Sequence, residues 1–218
     1  MNGLAAHTEM IFEQISHLNC IRNYVLMGGT ALALQLHHRL SEDLDFCAWH
    51  KLKNEKIFVA WDKIQQELET VGYTEKSLLD ENQVDFVLEG VKITFLADNR
   101  FKAPATLQKI PFLNNIQLVD TKSIGIMKIE VMTRRSVFRD YYDMYAILKS
   151  GVALSDIIDG AGKYTSHNLR TRDMISTLLN TDRVVADKKF FEELNPAFNI
   201  SLNEMREFFV EKSKEIIK

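Results

Sequence analysis

The stretch Tyr24–Cys47, YVLMGGTALALQLHHRLSEDLDFC, decides how the rest of the chain is read. A short apolar run, Tyr24-Val25-Leu26-Met27, reads as a strand and leads into Gly28-Gly29, after which an Ala/Leu-rich helical segment runs from Thr30 to His38. Two adjacent glycines at such a junction let the backbone turn through dihedrals that a side chain forbids. Their amides, with those opening the helix, then face outward and make an electropositive place suited to a phosphate. Thr30 stands where its hydroxyl can cap that helix or touch the same anion. Ser41-Glu42 turns the chain into Asp43-Leu44-Asp45-Phe46-Cys47, whose alternation is that of a strand with one polar and one buried face. Asp43 and Asp45 therefore point the same way.

Two ionised carboxylates side by side repel, so a fold keeps them with a compensating cation or in full solvent. Magnesium suits the pair, being a hard ion often held by one or two carboxylates plus substrate phosphates. The reading is a phosphate cradle facing a metal-holding pair. The plainer alternative is a glycine turn and two solvated acids on an edge.

The order Gly28-Gly29-Thr30-Ala31-Leu32, helix, His38-Arg39-Leu40-Ser41-Glu42-Asp43-Leu44-Asp45-Phe46 resembles the first motif of the DNA polymerase beta-like nucleotidyltransferase superfamily. More narrowly, it resembles the AbiEii/AbiGii toxin family, nucleotidyltransferase-like proteins of bacterial toxin–antitoxin and phage-defence systems. A second segment, Lys128 … Arg135 … Arg139-Asp140-Tyr141-Tyr142-Asp143, is similar to that family's second motif. The resemblance implies an α+β fold, a nucleotidyltransferase-like mixed β-sheet flanked by helices and followed by a C-terminal helical bundle. It marks Gly28, Gly29, Thr30, Ser41, Lys128, Arg135 and Arg139 for nucleotide binding, Lys128 being the triphosphate contact. Asp43 and Asp45 are marked for metal and catalysis. Asp140 and Asp143 either act at the catalytic centre or hold its basic residues in place. The implied cofactor is Mg2+, the donor a nucleoside triphosphate and the acceptor an RNA, particularly a tRNA 3′ end, with a cognate antitoxin as partner. Transfer to a small molecule such as an aminoglycoside is a third possibility. A non-catalytic nucleotide- or partner-binding module on the same fold is the alternative, because one expected feature is missing. The superfamily's third carboxylate comes from a later strand, and here that position falls on Thr94, with Lys92 on the same face. Asp85 on the neighbouring strand is the nearest substitute.

The second motif makes sense without analogy. Asp140 and Asp143 are i and i+3 and share a helix face, and Arg135 and Arg139 are i and i+4. Arginine presents a planar fork to phosphate oxygens, whereas lysine supplies a mobile point charge. A salt-bridged surface helix would show the same spacing. Tyr141, Tyr142 and Tyr145 are expected to pack.

Working outward, 218 residues with 46% hydrophobic side chains, three prolines and nine glycines describe a globular chain able to bury a sizeable core. No apolar run spans a bilayer, and Met1 to Glu13 carries acid and no basic n-region, so neither export nor insertion is indicated. Cys20 and Cys47 show no zinc-like pairing and read as reduced thiols in a cytoplasm. The net charge of −3 argues against indiscriminate nucleic-acid binding, but it is unevenly spread. Residues 1–99 hold eight basic against fifteen acidic side chains, residues 100–149 nine against four, and residues 150–218 ten against eleven. If the middle block folds opposite Asp43 and Asp45, an acidic metal wall faces a basic phosphate wall.

Along the chain, periodicity predicts helices over residues 3–19 and Lys56–Val71, strands over Gln83–Leu88 and Val91–Leu96 with a turn at Glu89-Gly90, and a short strand Ile116–Val119. Asp120 is the expected N-cap of a helix Thr121–Met132, followed by a helix Val137–Leu148. Two parts are expected: 1–150, nucleotidyltransferase-like, and 151–218, helical. The latter is punctuated by Gly160-Ala161-Gly162, Thr181-Asp182 and Pro196, with apolar positions running to Ile216-Ile217, and its Lys163, Arg170 and Arg172 suit either a polynucleotide acceptor or solvent. There is no third glycine of a dinucleotide fingerprint, no Gly-Lys-Ser/Thr loop, no His-Glu-x-x-His helix and no Gly-x-Ser-x-Gly elbow.

Overall fold

The computed structural model describes residues 2–50, 55–165, 169–185, 187 and 189–216, with backbone alone at 78 and 79. The organising stretch forms β1 (Val25–Met27), α2 (Gly28–Leu36) and β2 (Leu44–Trp49), preceded by α1 (Ala6–Ser16). Then follow α3 (Trp61–Leu68), β3 (Thr74–Asp80), β4 (Gln83–Leu88), β5 (Val91–Asp98), β6 (Lys109–Leu113) and β7 (Ile116–Val119). The helices α4 (Thr121–Met132), α5 (Phe138–Lys149), α6 (Leu154–Tyr164), α7 (Thr171–Leu179), α8 (Phe190–Glu193) and α9 (Leu202–Ser213) complete the described chain.

The strands form one mixed sheet in the order β3-β4-β5-β2-β1-β7-β6. β2 lies at its centre, antiparallel to β1 and parallel to β5. Alternation along β2 sends Leu44 and Phe46 into the core, where Phe46 stacks on Phe95 at 5.3 Å. Its other face carries Asp45, which pairs across the sheet with Met27 on one side and Thr94 on the other. One cluster of buried apolar side chains runs from Leu4 through the sheet to Phe209. This continuity is what holds the helices against the sheet.

α4 begins at Asp120, whose carboxylate accepts from the Ser123 N–H at 3.0 Å. The predicted β4–β5 hairpin is present, and both turn residues have positive φ, Glu89 at 49° and Gly90 at 80°. α5 is buried from Asp140 to Leu148, and its three tyrosines pack.

Five expectations are corrected. The helix expected over Thr30–His38 takes in Gly28 and Gly29 and ends at Leu36, because His37 closes it in the left-handed conformation at φ of 50°. α3 starts at Trp61 instead of Lys56, because the Asn99 side chain holds both the N–H and the carbonyl of Ile57 and keeps that segment out of the helix. α1 starts at Ala6, because Leu4 bridges Ser41 beside the sheet. Gly160-Ala161-Gly162 lies inside α6, where the absent side chain of Gly160 admits Ile126 of α4: a Cβ there would stand 2.3 Å from Ile126 Cδ1. β3 and β6 are additional strands, β6 carrying Pro111 on an exposed edge where no ladder donor is needed. Ile217 lies outside the described residues.

Candidate active site

The glycine turn is shaped by what presses on it. Gly28 has φ of 70°, and a Cβ there would stand 3.0 Å from Asp45 Oδ2. At Gly29 a Cβ would fall 2.3 Å from Arg39 Nη2. The two glycines therefore let one backbone turn fit between a carboxylate and a guanidinium. Met27, at the N-cap of α2, makes no side-chain cap bond, and Gly28 and Gly29 of the first turn line the pocket.

Arg39 begins a chain of alternating charges. Its Nε and Nη2 donate to the two oxygens of Asp143 at 2.7 and 3.0 Å, and His38 Nε2 lies 2.8 Å from Asp143 Oδ1. Lys128 Nζ donates to Asp143 Oδ2 at 2.8 Å and to Asp140 Oδ1 at 3.0 Å. Arg135 closes the chain on Asp140, through Nε at 2.8 Å and Nη2 at 3.1 Å. Burial acts to raise the Asp143 carboxyl, but Arg39 and Lys128 overcome it and hold the group well below the usual carboxylate range. Asp140 is lowered against burial by Lys128 and Arg135. Burial would lower Lys128, yet the two aspartates raise it, so it stays charged. Burial lowers His38 despite Asp143, so its imidazole is neutral and donates through Nε2.

The β2 side differs. Asp43 is exposed just before the strand and Asp45 is partly buried within it. Burial, then the charge of Asp43, raises the Asp45 carboxyl above its ordinary value. Thr94, opposite Asp45, brings its hydroxyl within hydrogen-bonding reach of Asp45 and Asp85. Asp85 pairs with Lys92 at 2.9 Å, one strand further out. Among the described residues, no group of three or more His, Cys, Asp or Glu side chains is arranged to hold a metal. The donor set fits a cation that shares two carboxylates with oxygen ligands brought by a substrate.

A pocket of about 240 Å³ joins the two sides. Gly28, Gly29, Asp45, Lys128, Arg135 and Asp140 all line it. Other predicted residues lie elsewhere. Asp143 sits behind Lys128, fully buried. Thr30 is buried, donating to the Asp43 carbonyl and hydrogen-bonded to Ser41 Oγ at 2.8 Å, so both hydroxyls brace the turn between α2 and β2. Arg139 turns away from the pocket to Asp187, 2.6 Å from Nε. Arg39 and His38 received no role from the sequence. The signal was available: Asp143 shares the face of α5 that carries Ile147, and an acid on a buried face requires buried cations.

Two glycines opening a helix, one aspartate within the next strand and another just before it, and a buried lysine across the cleft are the features that the resemblance expects of a nucleotidyltransferase-like site. The profile of the nucleotidyl transferase AbiEii toxin family, of type IV toxin–antitoxin systems, matches residues 11–213, and the chain belongs to that family. It is thereby a nucleotidyltransferase enzyme by family. The chain is 25% identical over 222 residues to an uncharacterized protein of Aquifex aeolicus (strain VF5), covering the whole of both. Its fold is similar to that of MenT4, a nucleotidyltransferase toxin from Mycobacterium tuberculosis H37Rv, with a TM-score of 0.61 and 14% identity over 96% of this chain and 85% of the other. No helix among the described residues is long and apolar enough to cross a membrane.

Proposed function

We propose that the pocket between β2 and α4–α5 binds a nucleoside triphosphate with magnesium and moves its nucleoside monophosphate to an acceptor hydroxyl. The observation carrying this reading is that Gly28, Gly29, Asp45, Lys128 and Arg135, from three distant segments, line one cavity. The glycine turn and the start of α2 receive phosphate oxygens. Lys128 spends two of its three N–H groups on Asp140 and Asp143 and directs the third to the triphosphate. Arg135, anchored by Asp140 and 60% exposed, meets the outer phosphates from the rim. Asp43 and Asp45 would hold the magnesium, which when bound supplies neutralising charge along the phosphates. Asp140 and Asp143 act by fixing the basic groups. The acceptor oxygen bonds to the α-phosphorus as the bond to pyrophosphate breaks and the hydroxyl proton passes to solvent, positioning and charge neutralisation supplying most of the catalysis.

In this reading residues 1–150 carry most of the site and residues 151–218 are the helical part, in which α6 packs on α4, α9 packs on α5 and Tyr164 adds to the pocket wall. The acceptor is an RNA, a tRNA 3′ end in particular, and a cognate antitoxin is the partner that keeps the activity in check. Cys20 and Cys47 are free thiols, which suits a reducing cytoplasm. The test is transfer from a labelled triphosphate to RNA by the parent and by Asp43→Asn and Asp45→Asn. Label should reach the RNA only with magnesium and only in the parent. Equal transfer by all three proteins would rule out the assigned metal pair.

A further inference from the structure

The reaction pocket has a neighbour. Arg100, Phe101 and Tyr164 line it on one side and line a wider basin, of about 610 Å³, on the other. The Phe101 and Tyr164 rings lie 5.1 Å apart at 47° and form the ridge between the two. Lys56, Lys102 and Lys163 stand around the second basin with Arg100, and all four side chains are exposed. Arg100 lies 3.7 Å from Asp98, outside this basin, and none of the three lysines is paired with a carboxylate among the described residues. Glu55 is the only acid lining it among the described residues. Four cations against one acid repel one another and attract a polyanion into the space they surround.

We propose that this basin is the acceptor channel. It holds the terminal stretch of a single-stranded polynucleotide, with phosphates against Lys56, Arg100, Lys102 and Lys163, while the terminal hydroxyl crosses the Phe101–Tyr164 ridge towards Asp45. The channel rests on the transfer reading above and adds where the acceptor lies. Its charge also selects the acceptor class: a polycation such as an aminoglycoside would be repelled from this basin, which shares a wall with the reaction pocket. Cations tracking a backbone beside an aromatic surface are the arrangement that holds single strands without reading their sequence.

The test compares the parent with a Lys102→Glu, Lys163→Glu double variant, both changes being on exposed side chains that leave the core untouched. Binding of a labelled single-stranded RNA of about 12 nucleotides is followed by fluorescence anisotropy across a salt series, and binding of a non-hydrolysable magnesium–triphosphate analogue is measured on the same preparations. The RNA should bind the variant at least about tenfold more weakly, with a log–log salt slope reduced by about 1.4, or roughly 0.7 for each lost phosphate contact. Affinity for the analogue should be unchanged. A parent that does not bind the RNA, or a variant with undiminished affinity and slope, overturns the channel. If neither protein binds the analogue while the RNA difference holds, the transfer reading fails and with it the acceptor role, and the basin stands as a single-strand binding site alone.

Discussion

The two walls of the reaction pocket carry their charges in opposite states. On the α4–α5 side, Arg39, Asp143, Lys128, Asp140 and Arg135 alternate, each within hydrogen-bond distance of its opposite. On the β2 side, Asp45 stands opposite Thr94 with Asp43 just before the strand, and Lys92 on the neighbouring strand is committed to Asp85. The first wall is assembled before any ligand arrives, because breaking it would strand buried charge. The second is short of positive charge and gains from a ligand that brings a cation. The comparison separates the residues that build the site from those that must be completed by what it binds.

The balanced wall should yield the largest effect. Asp143→Asn removes the shared counter-ion of two buried cations and should cost about 3–5 kcal/mol, lowering Tm by roughly 10 °C or more. Its pH behaviour follows from sign. The Asp143 carboxyl is depressed in the fold, so its contribution is present above the unfolded value of about 4 and is lost as pH falls through the lower folded value. Denaturation curves of the parent should weaken steeply in acid, and those of Asp143→Asn much less. A variant as stable as the parent at neutral pH would break the comparison.

Asp45→Asn should act the other way on stability. The Asp45 carboxyl is raised in the fold, so its contribution is full below the unfolded value and is lost as pH rises through the folded one. At neutral pH the variant, without ligand, should melt higher than the parent while transfer falls by about 100-fold or more. A lower Tm would mean that the aspartate pair is already compensated.

Gly29→Ala places a methyl group 2.3 Å from Arg39 Nη2, and Asp143 pins that guanidinium. The expected cost is about 1–3 kcal/mol, with transfer reduced, readable by chemical denaturation and by assay. Thr94→Asp, the smallest change, adds a third acid beside Asp45. It should tighten magnesium binding several-fold by calorimetry and lower the metal-free Tm slightly. Unchanged magnesium affinity would place the cation away from β2.

Much of this was legible in the sequence where a local rule and a packing demand agreed. β4, β7 and α4 occupy their predicted spans because alternation, the Asp120 cap and the Glu89-Gly90 turn are short-range signals. The first turns of the expected 56–71 helix were lost to Asn99, a side chain more than forty residues away, which no periodicity can announce. Gly160 read as a break because its use is a close approach by Ile126 on another helix. In the candidate site, spacing singles out Asp45 and the two glycines and the family resemblance singles out Lys128, and all four line one pocket. The inward roles of Thr30 and Ser41, and the turn of Arg139 to Asp187, depend on tertiary partners. The anchoring function of Arg39 was readable only by asking which cation could answer a buried Asp143.

The central claim is that both walls close on one magnesium–triphosphate. A double-mutant cycle on Asp45→Asn and Lys128→Met, with calorimetric binding of a non-hydrolysable analogue at fixed magnesium, tests it most directly. The account predicts that each variant weakens binding and that their effects are coupled by about 0.5–3 kcal/mol. Strictly additive losses, or binding indifferent to either residue, would contradict it.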